Sequence, residues 1–302
     1  MATPQISTVH TMLASARVRP RAYASLIKPD VTFLVVLTTV AGFYMASTGP
    51  LDRMKLLQTL MGTTLVAAGT AALNHFIERR EDAVMRRTAR RPLPLGILQP
   101  LEALIFGVAT VLLGLSWLAW KTNGLASLIA LATCASYLGI YTPLKKYTPW
   151  ATAIGAFPGA LPPLIGWAAA RGSLGLGAWV LFGILFFWQF PHFLAIAWIY
   201  REDYARAGIR MLPVVDRAGG STYAQIVVTS AILVPVSLLP TLIGMVGTLY
   251  FFLALLIGMA LMVACLWAAR EKTNVRAKWL MHATVIHIPV LLGLLMLDKL
   301  PR

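Results

Sequence analysis

The residues best able to do chemistry lie between 74 and 92, where Asn74, Glu78 and Asp82 recur at i, i+4 and i+8 and six arginines crowd into thirteen positions, 79 to 91. On an α-helix that spacing sets an amide and two carboxylates along one slowly drifting stripe. The uncharged run from Met61 to Leu73 comes just before it. The ladder therefore closes an apolar span, a place where ionised groups are costly and usually functional. Hard oxygen ligands suit Mg²⁺, and arginines suit phosphate oxygens. The stretch reads as a metal and diphosphate site; in the competing reading the acids only pair with the arginines of a basic loop.

The elements that must position this ladder follow from composition. With 58% hydrophobic and 12% charged residues and a mean hydropathy of +0.74, the chain has too little polar surface for a soluble domain. It reads as an all-α integral membrane protein. Apolar runs of about 20 residues, enough to cross a bilayer, occupy 31–48, 55–77, 101–120, 123–141, 150–169, 176–200, 222–243, 246–268 and 279–297. The expected organisation is a cytoplasmic tail over 1–30 and a single nine-helix transmembrane domain over 31–300. With the N-terminus in the cytoplasm, 20 of the 26 Lys and Arg residues fall on the cytoplasmic side, as the positive-inside rule requires. Loop asymmetry thus accounts for the +15 net charge, and nucleic acid is not implied. Cys134 and Cys265 lie inside apolar runs and match no metal or disulfide spacing.

The tail carries Arg17, Arg19, Arg21 and Lys28 with no acid before Pro29. A mitochondrial presequence has that composition, but the tail lacks an apolar signal core and reads as a bacterial cytoplasmic segment. The expected location is the cell inner membrane, or the mitochondrial inner membrane in a eukaryote.

A second cluster echoes the first. Arg80-Glu81-Asp82 ends the second span and Arg201-Glu202-Asp203 ends the sixth, each with a His-Phe pair upstream, His75-Phe76 and His192-Phe193. Matching sites four helices apart suggest two four-helix-like repeats plus one helix around a central cavity, with Asp82 and Asp203 facing each other. The fifth span, with Pro158, Pro162, Pro163 and Gly166, cannot be a plain rod. Its Gly155 and Gly159 serve equally well as small residues for helix packing. Trp188-Gln189-Phe190-Pro191-His192 predicts a second kink at mid-depth.

Beyond the ladder, Met85-Arg86-Arg87-Thr88, Arg91-Pro92, Tyr141-Thr142-x-Leu144-Lys145, Gly155-x-x-x-Gly159-x-x-Pro162-Pro163, Trp188-Gln189-x-Pro191-His192-Phe193 and Asp203-Tyr204-x-x-Ala207-Gly208 complete a set of motifs from 74 to 213. Together they resemble the UbiA-type intramembrane prenyltransferases, and within them the haem-modifying branch. One departure is Glu78, where many relatives carry Asp; another is a second motif with Asp203 and its neighbour Glu202 in place of two spaced carboxylates.

The resemblance implies transfer of a farnesyl group from farnesyl diphosphate to a vinyl carbon of protohaem IX, giving haem O and diphosphate. It assigns Asn74, Glu78, Asp82 and Asp203 to catalysis, the last three as Mg²⁺ ligands and Asn74 as ligand or orienter. Arg86, Arg87, Arg91, Lys145 and Arg210 are expected to hold phosphate oxygens, and Trp188, His192 and Tyr204 to contact substrate. His192 would ligate the haem iron or bond a propionate, with His75, His282 and His287 as rivals. Phe186, Phe187, Phe190 and Trp198 are candidates for a dry tail groove. Haem A synthase or a terminal oxidase would be downstream partners. The alternatives are prenyl transfer to a quinone or chlorophyll precursor and, from another class, a secondary transporter, whose charges should sit near the membrane centre.

Overall fold

The structure is a computed structural model that describes residues 19–301. Among the described residues nine helices are long and apolar enough to span a bilayer: α1 (Pro29–Ala46), α2 (Arg53–Ile77), α3 (Pro100–Lys121), α4 (Gly124–Leu144), α5 (Ala151–Arg171), α6 (Leu176–Ile199), α7 (Gly220–Leu242), α8 (Thr248–Glu271) and α9 (Asn274–Leu297). The chain is a multi-pass integral membrane protein, its backbone polar groups satisfied within helices as lipid demands. Most boundaries fall within three residues of the expected spans. The exception is α9, which starts at Asn274 because the Thr273 hydroxyl caps it, accepting from the Arg276 amide at 3.2 Å. Arg276 and Lys278 fall in its first turns and shorten the apolar run that the sequence displays.

Of the expected tail, residues 1–18 lie outside the described residues. From 19 to 26 the chain is helical; it buries Leu26 beside Leu93 and Leu98 and ties Arg19 to Glu102. The packed unit therefore reaches back before residue 31.

Two spans are irregular in ways that shape the centre. Between Ala160 and Pro162 α5 breaks into two segments, because Pro162 and Pro163 have no N–H to return to the carbonyls one turn earlier. In α4, residues Ser136–Tyr141 widen into a π-helical turn, a feature common at functional sites. The widened turn brings Tyr137 and Tyr141 to a central cavity and sets Thr142 beside Asn74.

Helices α1 and α5 cross at backbone contact. A Cβ on Gly166 would lie 2.0 Å from the Thr39 carbonyl oxygen, and one on Gly42 would lie 2.0 Å from that of Pro163. Backbone oxygens cannot step aside. Gly166→Ala is therefore expected to destabilise the bundle by about 1–3 kcal/mol, read as a lower thermal midpoint in detergent. Gly293→Ala in α9, with nothing within 4 Å, should be neutral; equal midpoints for the two variants would refute the close crossing. Gly155 and Gly159 have a more specific use than general packing, since their missing Cβ atoms admit the Tyr141 ring and the Gln189 amide.

The duplication survives in local detail. After α2 and α6 the helix axis breaks at Glu78 and Tyr200, and short helices Arg79–Val84 and Arg201–Arg206 follow. Arg79 Nη1 donates to Phe76 O at 2.6 Å and Arg201 Nη1 to Trp198 O at 2.7 Å. Each guanidinium lies 4.5 Å from the ring centroid of that same residue. These marks align Arg79 with Arg201, and hence Glu81 with Asp203. The register set by the helix break is one residue away from that of the Arg-Glu-Asp triplets.

Candidate active site

Asn74 lies on the last turn of α2, Glu78 at the break that ends it and Asp82 on the short helix that follows. Asn74, 1% exposed, donates from Nδ2 to Glu78 Oε1 at 2.8 Å and to Thr142 Oγ1 at 3.3 Å. Its Oδ1 accepts from Lys28 Nζ at 2.6 Å. Both ends of the amide are engaged, which fixes Asn74 against Glu78, Thr142 and Lys28. Glu78 is also buried and pairs with Lys145. Burial alone would raise the Glu78 pKa, but the Lys145 and Lys28 charges and the hydrogen bonds from Lys145 and Asn74 bring it below the ordinary carboxylate value. It stays an anion.

Asp82, one further turn on, is 1% exposed. Its Oδ2 accepts from Arg91 Nη1 at 2.7 Å, while Oδ1 is buried without a partner. A buried carboxylate oxygen left unpaired is expensive unless a cation completes it. Asp82 Oδ1 and the buried Glu78 carboxylate thus fit a hard divalent ion. Neighbouring Glu81 turns away to Lys146.

Asp203 does not join them. Its carboxylate accepts from the backbone amides of Arg86 at 3.3 Å and Arg87 at 3.2 Å and pairs with Arg206. Among the described residues no three acidic, histidine or cysteine side chains are grouped to hold one metal. The oxygens of Asp203 are committed to the turn that carries the arginines. That turn, with Tyr200, Glu202 and Arg206, lines an open cavity of about 430 Å³. Arg86 and Arg87 are exposed there, Arg87 lying 4.9 Å from the Tyr200 ring centroid. The Arg210 side chain is exposed, and its amide donates to the Lys145 carbonyl at 3.0 Å. Tyr204 packs half-buried beside Met85 and Ile209.

Beneath the ladder an apolar cavity of about 220 Å³ opens between α1, α2, α4, α5 and α6, reaching from Lys28 and Tyr141 to Thr63. From Asn74 back to Thr63 the rise along α2 is about 16 Å. Gln189 and Phe193 face this cavity. The aromatic residues expected to line it do not: Phe186 and Phe190 pack on each other, and Trp198 packs on Tyr223. Trp188 is sealed at 2% exposure and donates to the Thr284 carbonyl at 2.9 Å, so it touches α9 and not the cavity. His192 is half-buried, with Nδ1 2.9 Å from Thr284 Oγ1. Of its rivals, His75 is buried with both ring nitrogens lacking partners, His287 is buried with Nε2 lacking one, and His282 lies on an exposed face of α9.

Lys28 is the site residue that sequence reasoning missed. It is held at φ 46°, ψ 72° just before Pro29, in the left-handed region that non-glycine residues seldom adopt. Burial pushes its ammonium down to about 8, with Glu78 pulling the other way and Arg91 and Lys145 adding to the fall. Strained backbone that aims a cation at an acid ladder is usual at functional sites.

A ladder of buried acids and cations at one end of an apolar cavity, inside a membrane bundle, defines an intramembrane enzyme for an amphipathic substrate with an anionic head. The UbiA prenyltransferase family matches residues 35–287, and the chain belongs to that family. It is 48% identical to a protoheme IX farnesyltransferase of Solibacter usitatus, over 92% of this chain and 99% of that protein. A protoheme IX farnesyltransferase of Koribacter versatilis is 45% identical over 92% and 93%. The fold is similar to that of a digeranylgeranylglyceryl phosphate synthase, with a TM-score of 0.76, 19% identity and coverage of 92% and 97%. It is also similar to an Archaeoglobus fulgidus UbiA homologue bound to GPP and Mg²⁺, with a TM-score of 0.66, 16% identity and coverage of 91% and 99%.

Proposed function

We propose that this chain transfers the farnesyl group of farnesyl diphosphate to a vinyl carbon of protohaem IX, forming haem O for the haem-copper oxidases. The observation that carries the chemistry is the unpaired buried Asp82 Oδ1 beside Glu78, at the cationic mouth of an apolar cavity. The substrate pair is supported by the relatives' names and by the haem-branch motifs. The C1–O bond of the allylic diphosphate breaks with its electrons leaving on oxygen, the terminal vinyl carbon bonds to C1, and water adds to the resulting cation with loss of a proton.

Such ionisation needs charge stabilisation that is stronger in the transition state than for bound substrate. Glu78 and Asp82 are the proposed Mg²⁺ ligands, and bound Mg²⁺ supplies positive charge to the departing diphosphate. Lys28, Arg91 and Lys145 hold phosphate oxygens from the ladder side, and Arg86, Arg87 and Arg210 from the exposed side. Asp203 fixes the Arg86–Arg87 turn through its backbone amides, and Asn74 fixes Glu78. The cavity below excludes water from the allylic cation and has the length of several isoprene units. His192 receives the haem, with Tyr204 packed at the cytoplasmic rim. The proposed setting is the bacterial inner membrane with the ladder facing the cytoplasm, and a haem A synthase or terminal oxidase takes the product.

The purified chain in nanodiscs, given both substrates and Mg²⁺, should yield a pigment with the mass of haem O, and chelation of the metal should stop it. Prenylation of a quinone or chlorophyll precursor with haem untouched would overturn the assignment. A transporter fits poorly, because the buried charges Glu78, Asp82, Lys145 and Asp203 gather at one end of the bundle.

A further inference from the structure

Thr284 lies on α9 in the seam with α6 and is fully buried. Three contacts converge on it. Its hydroxyl donates to Met281 O at 2.6 Å, its carbonyl accepts the Trp188 indole N–H at 2.9 Å, and its Oγ1 stands 2.9 Å from His192 Nδ1. The Trp188 and His192 rings stack at 5.0 Å with 13° between their planes.

A hydroxyl has one proton to give. The 2.6 Å contact to Met281 O, short even for O–H···O, uses it. The oxygen turned to His192 therefore offers only lone pairs, and the ring nitrogen facing it carries a proton, since two acceptors would otherwise be pressed together. The network places the proton on Nδ1 and leaves the Nε2 lone pair free. No described residue bonds Nε2, and unlike the ring nitrogens of His75 it is not sealed inside the bundle. A ring nitrogen whose partner N–H is fixed by an acceptor is the usual form of a metal-ligating histidine. The Phe193 ring, which lines the apolar cavity, packs edge-on against the His192 ring at 5.1 Å.

We infer that Thr284 is a positioning residue for the tetrapyrrole: it locks His192 in the Nδ1–H form under the Trp188 ring so that Nε2 meets the haem iron. This rests on the proposed seating of haem at His192. It gives α9, which lies beyond all the motifs between 74 and 213, a direct part in substrate recognition. Thr284→Val keeps the shape but removes the acceptor, whereas Thr284→Ser keeps the acceptor.

The test is titration of the full-length protein in nanodiscs with ferric protohaem, following the Soret band, together with KM for haem and for farnesyl diphosphate. Thr284→Val should weaken haem binding by about 10–100-fold and change the Soret band, with KM for farnesyl diphosphate unchanged as the check on folding. Thr284→Ser should stay within a few-fold of the native protein. If Thr284→Val also loses farnesyl diphosphate and Thr284→Ser behaves likewise, the residue is structural and the inference fails. If Thr284→Val binds haem normally while His192→Ala loses the native band, the inference fails and the haem seat stands. A native spectrum and affinity in His192→Ala would overturn the seat itself, and the inference with it.

Discussion

Asp82→Asn is expected to lower turnover by about 10²–10³-fold, the scale seen when one preorganised charge-stabilising group is removed from an active site. The substitution is nearly isosteric, so packing around a side chain that is 1% exposed is kept. What changes is charge. Arg91 loses the anion it meets at 2.7 Å, and the unpaired Oδ1 loses the negative charge that would hold a cation. Because the missing stabilisation matters most as negative charge builds on the leaving diphosphate, kcat should fall more than KM for farnesyl diphosphate rises. The amount of Mg²⁺ needed for half-maximal rate should rise as well. Glu81 is the rival, one residue earlier and also with a buried unpaired oxygen. Its other oxygen is already paired with Lys146, so Glu81→Gln should be mild. Near-normal kinetics in Asp82→Asn beside an inactive Glu81→Gln would show that the metal is held one residue out of register.

The ladder was legible because three oxygen-bearing residues at a helical period are rare at the end of a twenty-residue apolar run, and both facts can be read by eye. The helix boundaries were legible for the same reason. Lys28 was not. A lone cation at the end of a basic tail has the composition of an orientation signal, and only the left-handed turn before Pro29 aims it inward. The cavity wall was hidden too, because α6 is buried on most sides and its aromatics show no preferred face. Gln189 and Phe193 happen to face the cavity, while Trp188 and Trp198 pack on neighbouring helices and Phe190 packs on Phe186 of the same helix. The orientation of Asp203 was not legible in its triplet. A three-residue charge match fixes no helical phase, whereas the break at Tyr200 and the Arg201 bond to Trp198 O do, and they turn the carboxylate towards the Arg86 and Arg87 amides.

Lys145→Met should be nearly as damaging as Asp82→Asn, with a distinct pH signature. Lys145 and Glu78 are both buried and paired, and removing one partner of such a pair costs about 3–5 kcal/mol if the other stays charged. The protein can avoid that cost by protonating Glu78. Burial pushes the Glu78 pKa up, and in the native chain Lys145 is the first of the groups that outweigh it; without Lys145 the burial effect is opposed mainly by Lys28 and Asn74. The sign follows. Natively the carboxylate is depressed, so its contribution is complete above the ordinary carboxylate value and is lost only as pH falls through the lower folded value. In Lys145→Met the folded pKa rises, and the acid limb of kcat/KM moves to higher pH. At neutral pH the rate should drop by one to two orders of magnitude, roughly the effect of one charged contact, and recover in part as pH is raised. Lys145→Arg keeps the charge and should leave the limb near its native position. A profile for Lys145→Met that falls in height without moving along the pH axis would mean that Lys145 acts only on the diphosphate and does not hold Glu78 ionised.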